Sequence, residues 1–364
     1  MCKLQWMHLA MLRQGQDTHS LAQVPVQAPS STKLMPEPVT ALCLPALRQL
    51  MPDLPADLEQ LLGAVARASK RIADTLRTGD AHTKSGIENT FGDEQLHLDV
   101  VTNEIAFEEL RACGLVHIAS SEETPTEEDL GAPKAAPGEG FSVSFDPLDG
   151  SSIIDTNFSV GSIFGVWPGR GLLGRTGREQ VSSILTVYGP RVTLVIALPQ
   201  AAAGPRTVQL MLQHDSTWEM IHENLRVAPA GKIFAPGNLR ATADNAAYKQ
   251  LVDFWIAERY TLRYTGGLVP DVYHVLIKGK GVVTNVVSAA AKAKLRLLYE
   301  AAPIALVMEC AGAASCTAPG PNGEHPEPIS ILDLPIMGLE FKCGVAYGGV
   351  EEVAIFTKLM YPGS

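Results

Sequence analysis

One eight-residue segment, residues 145–152 with the sequence FDPLDGSS, constrains the fold more than any other part of the chain. Residues 141–145 predict a short strand that leads into Asp146, and the proline that follows fixes φ and stops the hydrogen-bond ladder. Asp149 comes three residues after Asp146, so both carboxylates can face one point, with the Leu148 carbonyl between them. Carboxylate and carbonyl oxygens are the ligands that Mg²⁺ prefers. The segment therefore predicts a metal site at the end of a strand.

The second half of this segment has the composition of an anion-binding turn. Gly150 permits a close backbone approach, while Ser151 and Ser152 offer N–H groups and hydroxyls to a phosphate. The alternative is a turn that merely ends a strand, because Asp-Pro and Asp-Gly are common turn dipeptides. Acidic residues elsewhere in the chain weigh against that alternative.

Further acidic residues in three other places supply partners for the segment: Asp93 and Asp99, then Glu122 and Glu123 after a predicted strand, then Glu300 in an apolar run. The predicted metal ligands are Asp93, Glu122, Asp146, the Leu148 carbonyl, Asp149 and Glu300. Asp99 and Glu123 are the candidates that accept a proton from an attacking water, and Asp93 is counted with this catalytic group as well.

Hydrolysis of a phosphate ester explains why several carboxylates would converge. Negative charge spreads over the transferring oxygens and builds on the leaving oxygen. About two or three divalent ions, roughly 4 Å apart, bind both ends and lower the pKa of a bound water. Cation binding is then coupled to ionisation of the carboxylates, whose charges would repel one another without it.

Polar segments in the second half of the chain predict a site for a sugar and a second phosphate. Residues 234–240 are interpreted as a loop because of their proline and glycine. The candidate binding residues are Asn238, Arg240, Arg263, Tyr264, Gly266, Gly267, Lys294 and Arg296. Arginine, lysine and tyrosine bind phosphate away from metals. For any one of them alone, a scattered surface residue is the alternative.

The composition is typical of a globular enzyme with two lobes. Apolar residues make up 46 % of the chain and charged residues 19 %, the balance of a globular enzyme. A length of 364 residues is too long for one simple core. Its net charge of −10 disfavours nucleic acid as a partner, and no run of 18 apolar residues predicts a membrane span. Six scattered cysteines without a C-x-x-C pair indicate reduced thiols.

The pattern along the chain predicts an α/β protein in three parts. They are a disordered extension at 1–40, a metal-binding α/β lobe at 41–228, and an α/β lobe with the sugar-phosphate residues at 229–364. Predicted helices cover 58–75, 98–113, 248–258, 272–278, 297–311 and 350–361. Predicted strands cover 116–120, 141–145, 161–167, 181–188, 191–198, 207–212 and 281–287. The expected compartment is the cytoplasm, with a plastid or another organelle, reached through the extension, as the alternative.

Several motifs resemble the fructose-bisphosphatase family of the lithium-sensitive, Mg²⁺-dependent phosphatase superfamily. The shorter ones are the FDPLDGSS segment, Ser121-Glu-Glu123 and residues 92–99. Longer stretches are similar to sedoheptulose-1,7-bisphosphatases, and they lie at residues 89–95, 145–158, 165–169, 234–241 and 260–267. The resemblance covers roughly residues 60–362.

This resemblance implies a layered α/β/α/β/α sandwich that hydrolyses the 1-phosphate of sedoheptulose 1,7-bisphosphate to sedoheptulose 7-phosphate and phosphate. It implies about two or three Mg²⁺ ions per site on the ligands named above, with Mn²⁺ as a substitute. Residues 149–152 would hold the 1-phosphate, while the sugar and distal phosphate would be held by Asn238, Arg263, Tyr264 and Lys294. In the family the arginine that matches Arg263 reaches in from a neighbouring subunit, which implies a homo-oligomer, a dimer or a tetramer.

Two departures from the family pattern limit what is carried over. Residues 83–89 contain no cysteine, whereas plastid sedoheptulose-bisphosphatases carry a cysteine pair there, so thioredoxin-type regulation is not expected. At Thr284-Asn285, fructose-bisphosphatases tend to place a tyrosine on the sugar. The alternatives are a fructose-1,6-bisphosphatase, an inositol-phosphate phosphatase and a non-catalytic sugar-phosphate-binding protein. Acidic residues at every matching metal position argue against the last.

Overall fold

A computed structural model of the chain describes residues 45–52, 54–78, 84–88 and 94–363. The predicted extension at 1–40 and the predicted ligand Asp93 lie outside the described residues. The helices are α1 (Pro45–Leu50), α2 (Ala56–Thr78), α3 (His97–Cys113), α4 (Ser151–Ile154), α5 (Ala246–Ala257), α6 (Leu268–Lys278), α7 (Ala302–Cys310) and α8 (Val350–Met360). The strands are β1 (Lys84–Glu88), β2 (Glu94–Leu96), β3 (Val116–Ser121), β4 (Glu128–Asp129), β5 (Phe141–Asp149), β6 (Val160–Pro168), β7 (Ser182–Tyr188), β8 (Val192–Leu198), β9 (Arg206–Leu212), β10 (Trp218–His222), β11 (Ile233–Gly237), β12 (Thr261–Leu262), β13 (Val282–Asn285), β14 (Ala314–Ala318) and β15 (Gly344–Gly348).

Two large sheets organise the described part of the chain. The first has eight strands in the order β10-β9-β8-β7-β6-β5-β3-β4, and within it only the β3–β5 pair is parallel. The second has five strands in the order β12-β11-β13-β15-β14, with β11 parallel to both of its neighbours. β1 and β2 form a separate antiparallel pair.

Three buried clusters show that helices and sheets alternate in five layers. The first cluster joins α2 and α3 to one face of the eight-stranded sheet, where Phe145 stacks on Phe164 with ring centroids 5.5 Å apart. The second cluster fills the space between the two sheets with α6 and α7. The third packs α5 and α8 on the outer face of the five-stranded sheet. The predicted α/β/α/β/α sandwich is confirmed.

Alternation along the strands explains why both faces of the eight-stranded sheet are buried. On β6, Ile163 faces the inter-sheet core and Phe164 faces α2 and α3. The same alternation recurs on β7, where Ile184 and Leu185 belong to different clusters. Strands covered on both faces have continuous apolar runs, as these sequences do.

Several predicted boundaries are wrong. β5 continues to Asp149 instead of ending before Asp146, because the ladder with β6 resumes after a register shift between the two aspartates. Residues 234–237, predicted as part of a loop over 234–240, belong to the buried strand β11. The predicted helix 297–311 is a π-helical turn, Leu297–Ala301, followed by α7, whose first turn contains Pro303. The predicted strand 281–287 is shorter in the structure and covers only Val282–Asn285.

The described residues from Pro45 onward form one compact unit. The division into lobes at 228/229 therefore stays a prediction. Within the described ranges, no helix is long and apolar enough to cross a membrane. Among the cysteines that the structure describes, Cys113, Cys310, Cys316 and Cys343 are free and buried.

Candidate metal and phosphate site

The bend in β5 positions the two aspartates of the FDPLDGSS segment. The Asp146 carboxylate accepts a hydrogen bond from the Leu148 N–H at 2.9 Å, which closes the turn between them. The Pro147 carbonyl accepts a bond from the Ser162 hydroxyl on β6 at 2.6 Å, and Ser162 also contacts the Tyr188 hydroxyl at 2.8 Å. The bend is thus fixed from the neighbouring strands, so that Asp146 lies in a defined place.

Three carboxylates converge beside this bend. Glu122 follows the end of β3, Asp146 lies on β5, and Glu300 lies in the π-helical turn before α7. One oxygen from each lies within 4.8 Å of the others, and Asp146 and Glu300 are both only 5 % exposed. Two buried carboxylates and the half-buried Glu122 form the kind of donor set that suits a hard divalent cation such as Mg²⁺.

Burial raises the pKa of all three carboxyl groups of the cluster, Glu122, Asp146 and Glu300. For Glu122 the burial outweighs the nearby Arg296 guanidinium, and the pKa rises to about 7. Burial, with repulsion from neighbouring carboxylates, holds the pKa values of Asp146 and Glu300 well above their usual range. Ionising all three groups is therefore costly unless a cation compensates, which is the electrostatic behaviour expected of a metal site.

Asp149 joins the metal side of the site to the sugar side. Its carboxylate accepts hydrogen bonds from the N–H groups of Leu268, at 3.3 Å, and Val269, at 2.6 Å, in the first turn of α6. Burial raises its pKa to about 7, and these two N–H groups oppose the rise. A negative charge at a helix N-terminus is favourable, so Asp149 connects β5 to the helix that follows the Gly266-Gly267 pair.

Arg296, one of the predicted substrate residues, has a buried guanidinium that pairs with Glu122 and with Glu340, the latter at 2.9 Å. Its backbone N–H also donates to Glu300 at 2.6 Å. The Arg296 guanidinium therefore lies among the carboxylates of the cluster and compensates part of their negative charge. The assignment of Arg296 to the substrate stays a prediction.

Glu340 is the site residue that the sequence did not indicate. It is a single acid in the apolar run Met337–Phe341, and the pairing of this segment with Arg296, through an isolated β-bridge to Lys342, brings it to the cluster. One of its oxygens is buried with no hydrogen-bond partner within the described part of the chain. Pairing between segments so far apart in sequence leaves no local signal.

The two proposed proton acceptors lie on elements next to the cluster. Asp99 is buried in the first turn of α3, and Glu123 is half-buried beside Glu122 in the turn after β3. The charge of Glu123 contributes to the raised pKa of Glu122, which shows that the two carboxylates are close. Their catalytic roles stay predictions.

The phosphate turn packs against the glycine pair of the sugar side. Gly150 has φ +91°, a conformation that favours glycine, and it begins the short helix α4 that contains Ser151 and Ser152. The Ile153 side chain lies against Gly266 and Gly267, within 3.6 Å of where a Cβ at either position would be. The two turns therefore touch. At Gly267 an added Cβ would come within 2.9 Å of the Pro270 ring, whereas at Gly266 the requirement for glycine is the backbone φ of +103°.

Three of the predicted sugar-binding residues, Asn238, Arg240 and Tyr264, lie close together. The pKa of the Tyr264 hydroxyl is raised by burial, while the Asn238 backbone N–H and the Arg240 charge oppose the rise, so these three residues are neighbours. The Asn238 side-chain amide donates to the carbonyls of Val286, at 2.7 Å, and Ala291, at 3.1 Å. Asn238 therefore holds the loop that leads towards Lys294.

Arg263 and Lys294 are exposed, and Arg263 donates to the neighbouring Leu262 carbonyl at 2.8 Å. Both are available to an anion from outside this chain. Their assignment to the distal phosphate stays a prediction.

Comparison with known proteins identifies the family. The model of the fructose-1-6-bisphosphatase N-terminal domain matches residues 44–213, and that of the C-terminal domain matches residues 227–361. The chain belongs to the fructose-1,6-bisphosphatase family. The resemblance inferred from the sequence motifs is thus confirmed, and with it the prediction of a sugar-bisphosphate phosphatase.

Within the fructose-1,6-bisphosphatase family, several relatives cover most of this chain. A chloroplastic sedoheptulose-1,7-bisphosphatase from Spinacia oleracea is 45 % identical, across 84 % of this chain and 75 % of its own. A class 1 fructose-1,6-bisphosphatase from Trichlorobacter lovleyi is 35 % identical, across 85 % of this chain and 92 % of its own. A Toxoplasma gondii crystal structure, described as a candidate sedoheptulose-1,7-bisphosphatase, has a TM-score of 0.77 and 36 % identity, across 88 % of this chain and all of that one. The holo form of Leishmania major fructose-1,6-bisphosphatase has a TM-score of 0.74 and 26 % identity, across 85 % of this chain and 96 % of that one.

Proposed function

We propose that this chain hydrolyses the 1-phosphate of sedoheptulose 1,7-bisphosphate and releases sedoheptulose 7-phosphate and inorganic phosphate. The observation that carries the proposal is the largely buried cluster of Glu122, Asp146 and Glu300 beside the phosphate turn, in a member of the fructose-1,6-bisphosphatase family. The seven-carbon substrate is favoured because relatives named for it are 43–45 % identical, against 34–36 % for those named fructose-1,6-bisphosphatase.

Divalent cations fit the donor set of this site. Glu122, Asp146 and Glu300 would hold Mg²⁺, with Asp149 and the Leu148 carbonyl as the further predicted ligands, and Asp93 as one outside the described residues. A bound cation would polarise the phosphoryl oxygens and acidify a water. About two or three ions per site, and Mn²⁺ as a substitute, complete the cofactor proposal.

The residues of the chain divide the remaining work. N–H groups and hydroxyls of residues 150–152 would orient the 1-phosphate next to the carboxylates. Asp99 or Glu123 would take the proton of the attacking water, since both lie on elements that border the cluster. Asn238, Arg240, Tyr264 and Lys294 would orient the sugar and its distal phosphate, and the contact between Ile153 and the Gly266-Gly267 pair would keep the two halves of the site together.

The decisive experiment is phosphate release by the purified full chain with Mg²⁺ and sedoheptulose 1,7-bisphosphate. One phosphate per sugar and a ³¹P spectrum of sedoheptulose 7-phosphate are expected. Asp149→Ala should lower turnover by about 10³-fold or more, because it removes both a metal ligand and the acceptor for α6. The control is Asp253→Ala, which removes an exposed carboxylate on α5 that pairs with Lys249. Near-normal turnover of Asp149→Ala, or release of the 7-phosphate, would contradict the proposal.

A homo-oligomer, a dimer or a tetramer, is part of the proposal. Arg263 lies next to the edge strand β12, where Leu262 is 52 % and Tyr264 47 % exposed. A second copy at this edge would cover apolar surface and bring a cation to a neighbouring site. Light scattering of Arg263→Ala and of the unchanged chain would test it, and a monomeric unchanged chain would contradict it.

The compartment is the last part of the proposal. The relatives from Spinacia oleracea, Chlamydomonas reinhardtii and Triticum aestivum are named as chloroplastic. They favour the plastid alternative over the cytoplasm. A fluorescent protein fused to residues 1–60 would test this and should accumulate in plastids. Diffuse cytoplasmic fluorescence would contradict the plastid assignment and favour the cytoplasm.

A further inference from the structure

Glu122 and Glu123, the ligand and the candidate proton acceptor, share one tight turn, residues 121–124. The Ser121 N–H donates to the Thr124 carbonyl at 3.1 Å, and the Thr124 N–H donates to the Ser121 hydroxyl at 2.9 Å. On one side the turn is fixed to β5, because the Glu122 N–H donates to the Phe145 carbonyl at 3.1 Å. The positions of both carboxylates therefore depend on the placement of these four residues.

A single side chain fixes the other side of this turn. The Asn103 amide oxygen accepts a hydrogen bond from the Ser121 hydroxyl at 2.7 Å, and the Asn103 amide nitrogen donates to the Thr124 hydroxyl at 3.0 Å. One amide thus bonds the first and the last residue of the turn. Asn103 lies four residues after Asp99 on α3, so both side chains lie on the same face of that helix.

We propose that Asn103 is a positioning residue that holds the turn at 121–124 on α3 and so sets the places of Glu122, Glu123 and Asp99 relative to one another. The proposal rests on the proposed function. Outer partners that orient the ligands of a metal have large effects on affinity, about 10- to 100-fold when they are removed. Asn103 contacts neither the carboxylate cluster nor the phosphate turn within the described residues, so its effect would act through Ser121 and Thr124.

The neighbourhood of Asn103 provides a matched control. Asn103 lines a surface cavity of about 350 Å³ together with Glu104, Phe107, Glu108 and Arg111. Glu104 is exposed, is the next residue on the same helix, and lines the same cavity. Glu104→Ala therefore changes the same surface without touching the turn.

The test is Mn²⁺ affinity, measured by titration calorimetry on the full chain without substrate, beside kcat and KM with Mg²⁺. Asn103→Ala should weaken Mn²⁺ binding about 10- to 100-fold and lower kcat, with KM for the bisphosphate unchanged. Glu104→Ala should match the unchanged chain. Asn103→Asp, which keeps an acceptor for the Ser121 hydroxyl, should recover part of the Mn²⁺ affinity.

Thr124→Val is the second variant, because it removes only the hydroxyl that accepts from Asn103 and keeps the shape of the side chain. Losses in Asn103→Ala and Thr124→Val should not add in the double variant, since both break the same attachment. If Asn103→Ala fails to fold, Thr124→Val carries the test by itself.

Two results would overturn the proposal: unchanged Mn²⁺ affinity in a folded Asn103→Ala or Thr124→Val variant, or fully additive losses in the double variant. Because Mn²⁺ binding is measured without substrate, a chain that hydrolyses no bisphosphate would refute the proposed function and leave this test intact.

Discussion

Cation affinity should depend steeply on pH, because the site must lose protons before it binds a cation. The carboxyls of Glu122 and Asp149 both have a pKa of about 7, raised from ordinary values of 4.5 and 3.8 by burial. At pH 8 each group is about nine-tenths ionised, and at pH 6 only about one-tenth. If a cation needs both in the ionised form, the apparent Kd for Mn²⁺ should rise about 100-fold from pH 8 to pH 6, or about 3 kcal/mol. Asp146 and Glu300 have raised pKa values too, so this factor is a lower limit.

The sign of the effect on stability follows from the same groups. Between about pH 4.5 and 7 the folded protein without cation holds protons that the unfolded chain has already released. Its free energy of unfolding therefore falls as pH rises through that window, and is greatest at the acidic end. An added cation opposes the fall by binding the folded state alone, and its stabilising effect grows with pH.

Titration calorimetry with Mn²⁺ at pH 6, 7 and 8, at constant ionic strength, measures the dependence directly. Glu122→Gln removes one titrating group, so its Kd should be higher at pH 8, and the change in Kd from pH 8 to pH 6 should be about tenfold smaller than in the unchanged chain. Glu104→Gln, on the exposed face of α3, should keep the full change. A dependence of less than about threefold in the unchanged chain would refute the reasoning, because it would mean that the buried carboxyls are ionised well below pH 7.

Two further changes test the surroundings of the site. Glu340→Gln should weaken Mn²⁺ binding about fivefold, because Arg296 would then pair with Glu122 alone and one negative charge near the bound Mn²⁺ would be lost. Unchanged or tighter binding in the same calorimetric assay would contradict this. Gly161→Ala should destabilise the fold by about 1–3 kcal/mol in urea unfolding, because the added Cβ would lie 2.4 Å from a Val269 methyl and 2.7 Å from the Thr186 carbonyl oxygen. Gly338→Ala meets nothing within 4 Å and serves as its control, so equal stabilities of the two variants would show that β6 and α6 are not closely packed.

Hydrophobic periodicity was enough to predict the layers around the eight-stranded sheet. The 3.6-residue spacing of α2 and α3 and the apolar runs of β6, β7 and β8 correspond closely to the observed elements. These segments bury one helical stripe or two strand faces, so their sequences carry the packing directly.

The strand β11 could not be predicted from its own residues. Its sequence contains Pro236 and Gly237, which usually indicate a loop. The strand is nevertheless paired on both sides at its start, and β12 pairs only with Ile233 and Phe234. Beyond that point β11 is open on one side, where a proline is tolerated. The extent of this pairing depends on β12, whose residues are 28 positions further along the chain, and the local sequence does not show it.

The candidate site was predictable in its acids but not in its connections. The FDPLDGSS segment, Glu122 and Glu300 carry a chemical signature in short motifs, and the structure brings Glu122, Asp146 and Glu300 together. The attachments are different, because Arg296 with Glu340, Asp149 with α6 and Asn103 with Ser121 join residues 18 to 119 positions apart. Such contacts are products of the tertiary fold.

The central claim, a phosphatase for a seven-carbon sugar bisphosphate, is tested most directly by one kinetic comparison. The purified chain with Mg²⁺ should be assayed for phosphate release from sedoheptulose 1,7-bisphosphate and from fructose 1,6-bisphosphate under the same conditions. The account predicts a clearly higher kcat/KM for the seven-carbon substrate. A higher kcat/KM for fructose 1,6-bisphosphate would contradict the assignment within the family, and no release from either sugar would contradict the phosphatase itself.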